Sequence, residues 1–149
     1  MKKTWEDFEV GRAFKTVGIT ITEAHVVTFA GLTGDNHPIQ MNEEYARQTV
    51  FGTRIAHGLL VFSVAGGLVL QSGFLADAII SFLKVRDLTF LRPVKLGDTI
   101  HVEVIVDEKA ETSKSDKGIL TLKYEVKNQT DTTVIASNLD FMVHRKVQE

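Results

Sequence analysis

In the C-terminal half of the chain, apolar and polar residues alternate with a period of two. Leu120, Leu122, Tyr124 and Val126 alternate with Thr121, Lys123, Glu125 and Lys127, and Ile135, Ser137, Leu139, Phe141 and Val143 repeat the pattern. Ile100, Val102, Val104 and Val106 do the same against His101 and Glu103. One polar face per strand predicts antiparallel strands covered on one side only, with His101 and His144 turned outward. Residues 80–91 read as a further strand, ended by Arg92-Pro93 and a turn at Leu96-Gly97-Asp98. The stretches EKAETSKSDKG and NQTDT are polar, hairpin-like connections.

The N-terminal half follows a different period. Residues 12–21 are rich in Val, Ile and Thr and predict a strand. Thr22 is placed to cap a helix through EAHVVTFAGLT, where Val26, Phe29 and Ala30 recur at helical spacing and Gly34 ends it. Asn42 caps a short helix with Glu43 and Glu44 in its first turn, where the dipole favours anions. From residue 57 to about 72, the run HGLLVFSVAGGLVLQS is apolar nearly all round. A helix of that kind must be covered on every face, so it belongs in the core. An antiparallel sheet wrapped around this helix, an α+β arrangement in a single domain, is the economical packing. Its polar face and open edges favour pairing with a second copy.

Composition changes this picture little. The 149 residues carry a formal net charge of -2, and no basic stripe suggests nucleic acid or an anionic membrane as a partner. There is no cysteine, which excludes disulfides, thiol nucleophiles and thiolate metal sites and suits a reducing cytoplasm. The N-terminus has acidic residues where a signal peptide would be apolar, and the run at residues 59–70 is shorter than the roughly 20 residues of a membrane span. A cytoplasmic protein is expected.

Candidate chemistry concentrates in GDNHPIQMNEEYA, residues 34–46. Asp35 is either a turn residue after Gly34 or a carboxylate held among Phe29, Ala30, Leu32, Ile39 and Met41. In the second case desolvation would shift it toward the range of a general base. His37 follows, with Pro38 stiffening the loop. At Ala56-His57-Gly58-Leu59 the core helix begins with unpaired backbone N–H donors, which suit a developing oxyanion. Gly58 either lets a ligand approach or merely eases tight packing. Of the five histidines only His37 and His57 are expected as neighbours, and no metal is expected. Nucleotide-cradling and serine-hydrolase motifs are absent.

GDNHPIQMNEEYA followed by FGTRIAHGLLVFS resembles the hydratase motif of the MaoC-like dehydratases, the (R)-specific enoyl-CoA hydratases of the hot-dog fold. That motif reads Asp-x-(Asn or His)-Pro-x-His, then a short helix, then Phe-Gly-x-x-Ile-Ala-His-Gly. The resemblance runs from FEVG near the N-terminus through Arg-Pro-Val-x-x-Gly-Asp at residues 92–98. It implies a homodimer of hot-dog domains, open to further assembly, and reversible addition of water across the 2,3-double bond of an acyl-CoA or acyl-carrier-protein thioester in fatty acid metabolism. No separate cofactor is implied, since the thioester carrier belongs to the substrate. Asp35 falls on the catalytic aspartate, and His57 and Gly58 on the thioester-binding helix start, with the Gly58 N–H receiving the carbonyl. Ser63 falls on a serine that orients the aspartate, and His37 on the (Asn or His) position. Gln40 stands where the family has its catalytic histidine, and glutamine cannot exchange a proton near neutral pH. Two alternatives therefore stand beside hydration: a hot-dog thioesterase, and an acyl-thioester-binding subunit without catalysis. Either His37 takes over the lost proton transfer or it only orients the loop.

Overall fold

A computed structural model describes residues 2–146, residue 76 by its backbone alone. After a short 3-10 turn at Trp5–Asp7 come β1 (Ala13–Lys15), β2 (Ile19–Thr20), α1 (Glu23–Thr33), α2 (Pro38–Met41), α3 (Glu43–Arg47) and α4 (Gly58–Gln71). The four long strands follow: β3 (Ile79–Phe90), β4 (Thr99–Glu111), β5 (Lys117–Lys127) and β6 (Thr133–His144). The strands make one antiparallel sheet in the order β1-β4-β5-β6-β3, with β2 also paired to β4.

The alternating pattern sets which sheet face is covered. Val102, Val104, Val106, Leu120, Leu122, Val126, Leu139 and Val143 are buried on one side, where they meet α4. From α4 come Leu60, Val61, Ala65, Leu68 and Val69, all buried. Each such side chain contributes about 1.5–3 kcal/mol by leaving water. Three register shifts between β3 and β6, one of them around Asp87 at φ 54°, bend the sheet about the helix. This is the α+β hot-dog arrangement that the sequence suggested.

Three expectations need correction. The strand expected over residues 12–21 is split into β1 and β2. At the break the Val102 N–H donates to the Thr16 hydroxyl oxygen at 2.9 Å, a side chain standing in for the backbone ladder. The connection after β4 is shorter than its polar sequence suggested, because Glu108–Glu111 continues the pairing with β5. Finally, α4 is not covered on every face. Leu59, Ser63, Gly66 and Leu70 fall on one stripe, and Leu59 and Leu70 are each 57% exposed. Among the described residues no helix is long and apolar enough to cross a membrane.

Candidate active site

The loop that carries Asp35 is shaped by its own side chains. Gly34, at φ 77°, ends α1 in the left-handed region that glycine adopts at least cost. The Asp35 N–H donates to the Thr33 hydroxyl, and Asp35 Oδ1 accepts a long bond from the His37 N–H at 3.4 Å. His37 then caps α2, its Nδ1 accepting from the Ile39 N–H at 3.1 Å, with Pro38 at the first helical position. Asn42 caps α3 in turn, accepting from the Tyr45 N–H at 3.0 Å.

Several bonds draw this loop to the start of α4. The Ile55 N–H donates to the Ile39 carbonyl at 3.3 Å, and the Ala56 N–H to Val94 at 2.7 Å. The Arg54 guanidinium pairs with Glu23 and Glu43, each at 2.9 Å, and Thr53 donates to Glu43. Those two carboxylates raise the Arg54 guanidinium further. The Thr53 and Arg54 hydrogen bonds hold the Glu43 carboxyl below its usual 4.5. His57, only 3% exposed, donates from Nε2 to the Asp35 carbonyl oxygen at 2.9 Å, with its ring against Phe29.

The result is a cavity of about 480 Å³ at the N-terminus of α4. Asp35, Gln40, His57 and Gly58 reach it, and Phe51, Ile55, Val61, Phe90, Val94 and Ile135 supply much of its apolar wall. Gln40 Oε1 and His57 Nδ1 are buried without a hydrogen-bond partner. A Cβ on Gly58 would lie 2.6 Å from Cε1 of the half-exposed Phe90 ring, so any side chain here would have to displace that ring. The same residue is at the cavity surface with an N–H in the first turn of the helix, so the two readings of Gly58 coexist.

The motif residues are only partly brought together. Asp35 and Gln40 share the cavity; His37 does not line it, and its ring lies edge-on to Tyr45. His37 and His57 both meet Asp35, the first through its backbone N–H and the second through Nε2, while their rings pack on Tyr45 and Phe29 respectively. Ser63 donates to the Leu59 carbonyl at 2.7 Å, one turn back, and its residue is exposed rather than set against Asp35. The apolar surround expected for Asp35 is not supplied by this chain, where Asp35 is exposed. Sequence reasoning missed Phe90 as a wall of the site and Arg54 as its clamp. The only advance signal was the glycine at 58, which marks a close approach but not by what.

His101 also departs from expectation. It is on the outer sheet face but only 8% exposed, because Glu103 and Asp131 close over it. Nε2 lies 3.8 Å from Glu103 Oε1 and 3.5 Å from Asp131 Oδ1. Burial, then Lys15, pushes this imidazole below its usual value, against the pull of the two carboxylates. These three side chains bring potential metal-ligand atoms within 4.8 Å, a grouping that sequence spacing did not show. Lys127 bonds the other Glu103 oxygen at 2.7 Å and Lys15 lies 3.8 Å from Asp131, so the cluster is already paired as ions.

The family model described as MaoC like domain matches residues 7–128. Protein MaoC of Klebsiella aerogenes is 35% identical over 108 residues, 72% of this chain but only 32% of that protein. The (R)-specific enoyl-CoA hydratase of Rhodospirillum rubrum is 37% identical over 102 residues, 68% of each chain. The solved structure described as a monoamine oxidase regulatory protein from Archaeoglobus fulgidus superposes with a TM-score of 0.90 at 34% identity, covering 99% of both chains.

Proposed function

The chain belongs to the MaoC-like domain family, and on that premise we propose that it hydrates 2-enoyl thioesters or dehydrates 3-hydroxyacyl thioesters. The observation that carries this reading is the cavity in which Asp35 and the Gly58 helix start share an apolar wall. An acyl chain fits the apolar side, and the thioester carbonyl fits the helix N-terminus. In hydration the Asp35 carboxylate takes a proton from water as the water oxygen bonds C3. The π pair moves toward the thioester, whose oxygen becomes enolate-like and is held by the Gly58 N–H. The proton carried by Asp35 then passes to C2, which restores the carboxylate. The carrier thioester is part of the substrate, so the chemistry asks for no other cofactor.

The reading also asks for a second copy. β3 ends the sheet and carries exposed Phe82, Leu83, Val85 and Phe90, and the uncovered stripe of α4 adds Leu59 and Leu70. An unpaired apolar strand edge beside an apolar helix stripe fits a symmetric copy of itself. Such a partner would cover α4 and take water away from the exposed Asp35.

Gln40 favours one competing reading, a subunit that binds acyl thioesters without turning them over. A panel of short and medium 2-enoyl- and saturated acyl-CoAs decides. Loss of enoyl absorbance without free thiol supports hydration; binding without turnover supports the competitor. Thiol release would indicate a thioesterase instead.

A further inference from the structure

We propose that His101, Glu103 and Asp131 bind a divalent transition-metal ion of the zinc class on the outer face of the sheet. None of the three lines the cavity at α4, so the site stands apart from the reaction proposed above. His101 and Glu103 are two residues apart on β4 and share one face of the strand, while Asp131 comes from the turn between β5 and β6. His101 is only 8% exposed, and its Nε2 is buried without a hydrogen-bond partner. What stands beside that nitrogen is Asp131 Oδ1 at 3.5 Å and Glu103 Oε1 at 3.8 Å. Neither oxygen is aligned to take a hydrogen bond from it. A buried ring nitrogen left unpaired beside two carboxylate oxygens needs a partner that all three atoms can share, and a cation is one.

The spacing fits a small ion. Donor atoms bonded to zinc at about 2.0–2.2 Å in a tetrahedron stand about 3.4 Å apart. Both nitrogen–oxygen separations are close to that edge, and all three donor atoms lie within 4.8 Å of one another. An imidazole beside two carboxylates favours zinc, cobalt or manganese over calcium, which prefers an all-oxygen shell. The Asp131 side chain is 70% exposed, so the ion enters from its side and water completes the coordination.

Both carboxylates are held by bonds that spare the atoms beside His101. Lys127 bonds Glu103 through Oε2 at 2.7 Å and leaves Oε1 free. The Asp131 N–H donates to the Asn128 carbonyl at 3.1 Å, and Asn128 Oδ1 accepts from the Thr130 and Thr132 N–H groups. Lys15 Nζ, 3.8 Å from Asp131 Oδ1 and more than half exposed, gives way to the ion. The two lysines offset the two carboxylates, which sets the expected affinity in the micromolar range rather than the nanomolar. A bound ion ties the β5–β6 turn to β4.

The test is calorimetric titration of the full chain, freed of metal by a chelator, with Zn²⁺ and separately with Ca²⁺. Spectra of the ¹⁵N-labelled histidine rings follow the same titrations. Micromolar binding of a single Zn²⁺ is expected, with His101 Nε2 as the resonance that moves, and no uptake of Ca²⁺ in that range. Asparagine tolerates the left-handed backbone of Asp131, at φ 57°, so Asp131→Asn keeps the turn. It is expected to weaken Zn²⁺ by at least about tenfold, and His101→Gln by more. Zn²⁺ should also raise the denaturant midpoint of the wild type and leave that of Asp131→Asn nearly unchanged. No uptake of micromolar Zn²⁺, unchanged affinity in both variants, or movement of other histidine resonances in place of His101 overturns the proposal. Ca²⁺ bound as tightly as Zn²⁺ overturns it as well.

Discussion

The Phe90 ring occupies the space that a side chain on Gly58 would need, with Cε1 2.6 Å from the position of a Cβ. The strand that ends the sheet thus packs against the first residue of the core helix. Gly58→Ala should destabilise the fold by about 1–3 kcal/mol through overpacking. In a Phe90→Ala background most of that added cost should vanish. Denaturant midpoints of the four proteins measure this coupling, and purely additive effects would show that the ring is not the obstacle.

His37 caps α2 and stands outside the cavity. Asparagine caps helices equally well, so His37→Asn should leave stability unchanged and enoyl-thioester turnover within about threefold. His37→Ala should cost about 1 kcal/mol in unfolding experiments. A loss of about 10²-fold in His37→Asn would instead make His37 the proton carrier.

His101 predicts an acid-side loss of stability. Its folded value is depressed by burial from the usual 6.5, with Lys15 adding to the shift and Asp131 and Glu103 opposing it. Lys127 is the remaining charged neighbour among these causes. The unfolded chain therefore takes up the proton first as pH falls. The contribution is complete above 6.5 and is lost as pH falls through the lower folded value. Chemical unfolding from about pH 7.5 to about pH 5 should show a shallower decline in His101→Gln than in the wild type. Equal slopes would mean that His101 does not contribute to the acid-side loss.

Leu70 is on the uncovered stripe of α4. Leu70→Lys should change the stability of the single chain by no more than about 0.5 kcal/mol, as for other exposed positions. In sedimentation at micromolar concentration it should convert a dimer to a monomer. A wild type that is monomeric under those conditions would contradict the proposed pairing.

Much of the fold was legible because period and burial coincide in this chain. Val102, Leu122 and Leu139 each occupy the covered face that alternation assigned, and Thr22 and Gly34 bound α1 as their chemistry suggests. The failures are tertiary. Nothing near Thr16 announces that its hydroxyl will accept from Val102, 86 residues away. His101 reads as solvent-facing until Asp131 arrives from the next hairpin. In the site, the resemblance to the family motif singled out Asp35, Gln40 and Gly58, and all three line one cavity. His37, two residues from Asp35 in the chain, stands outside that cavity, and only the folded structure shows His57 gripping the Asp35 carbonyl.

In the proposed reaction Asp35 moves the proton during water addition. The most direct test follows enoyl absorbance and free thiol together when crotonyl-CoA meets the wild type and Asp35→Asn. The expected result is loss of absorbance without thiol in the wild type, and a rate about 10²- to 10⁴-fold lower in a folded Asp35→Asn. Equal rates in the two proteins, or absorbance lost only as thiol appears, would contradict it.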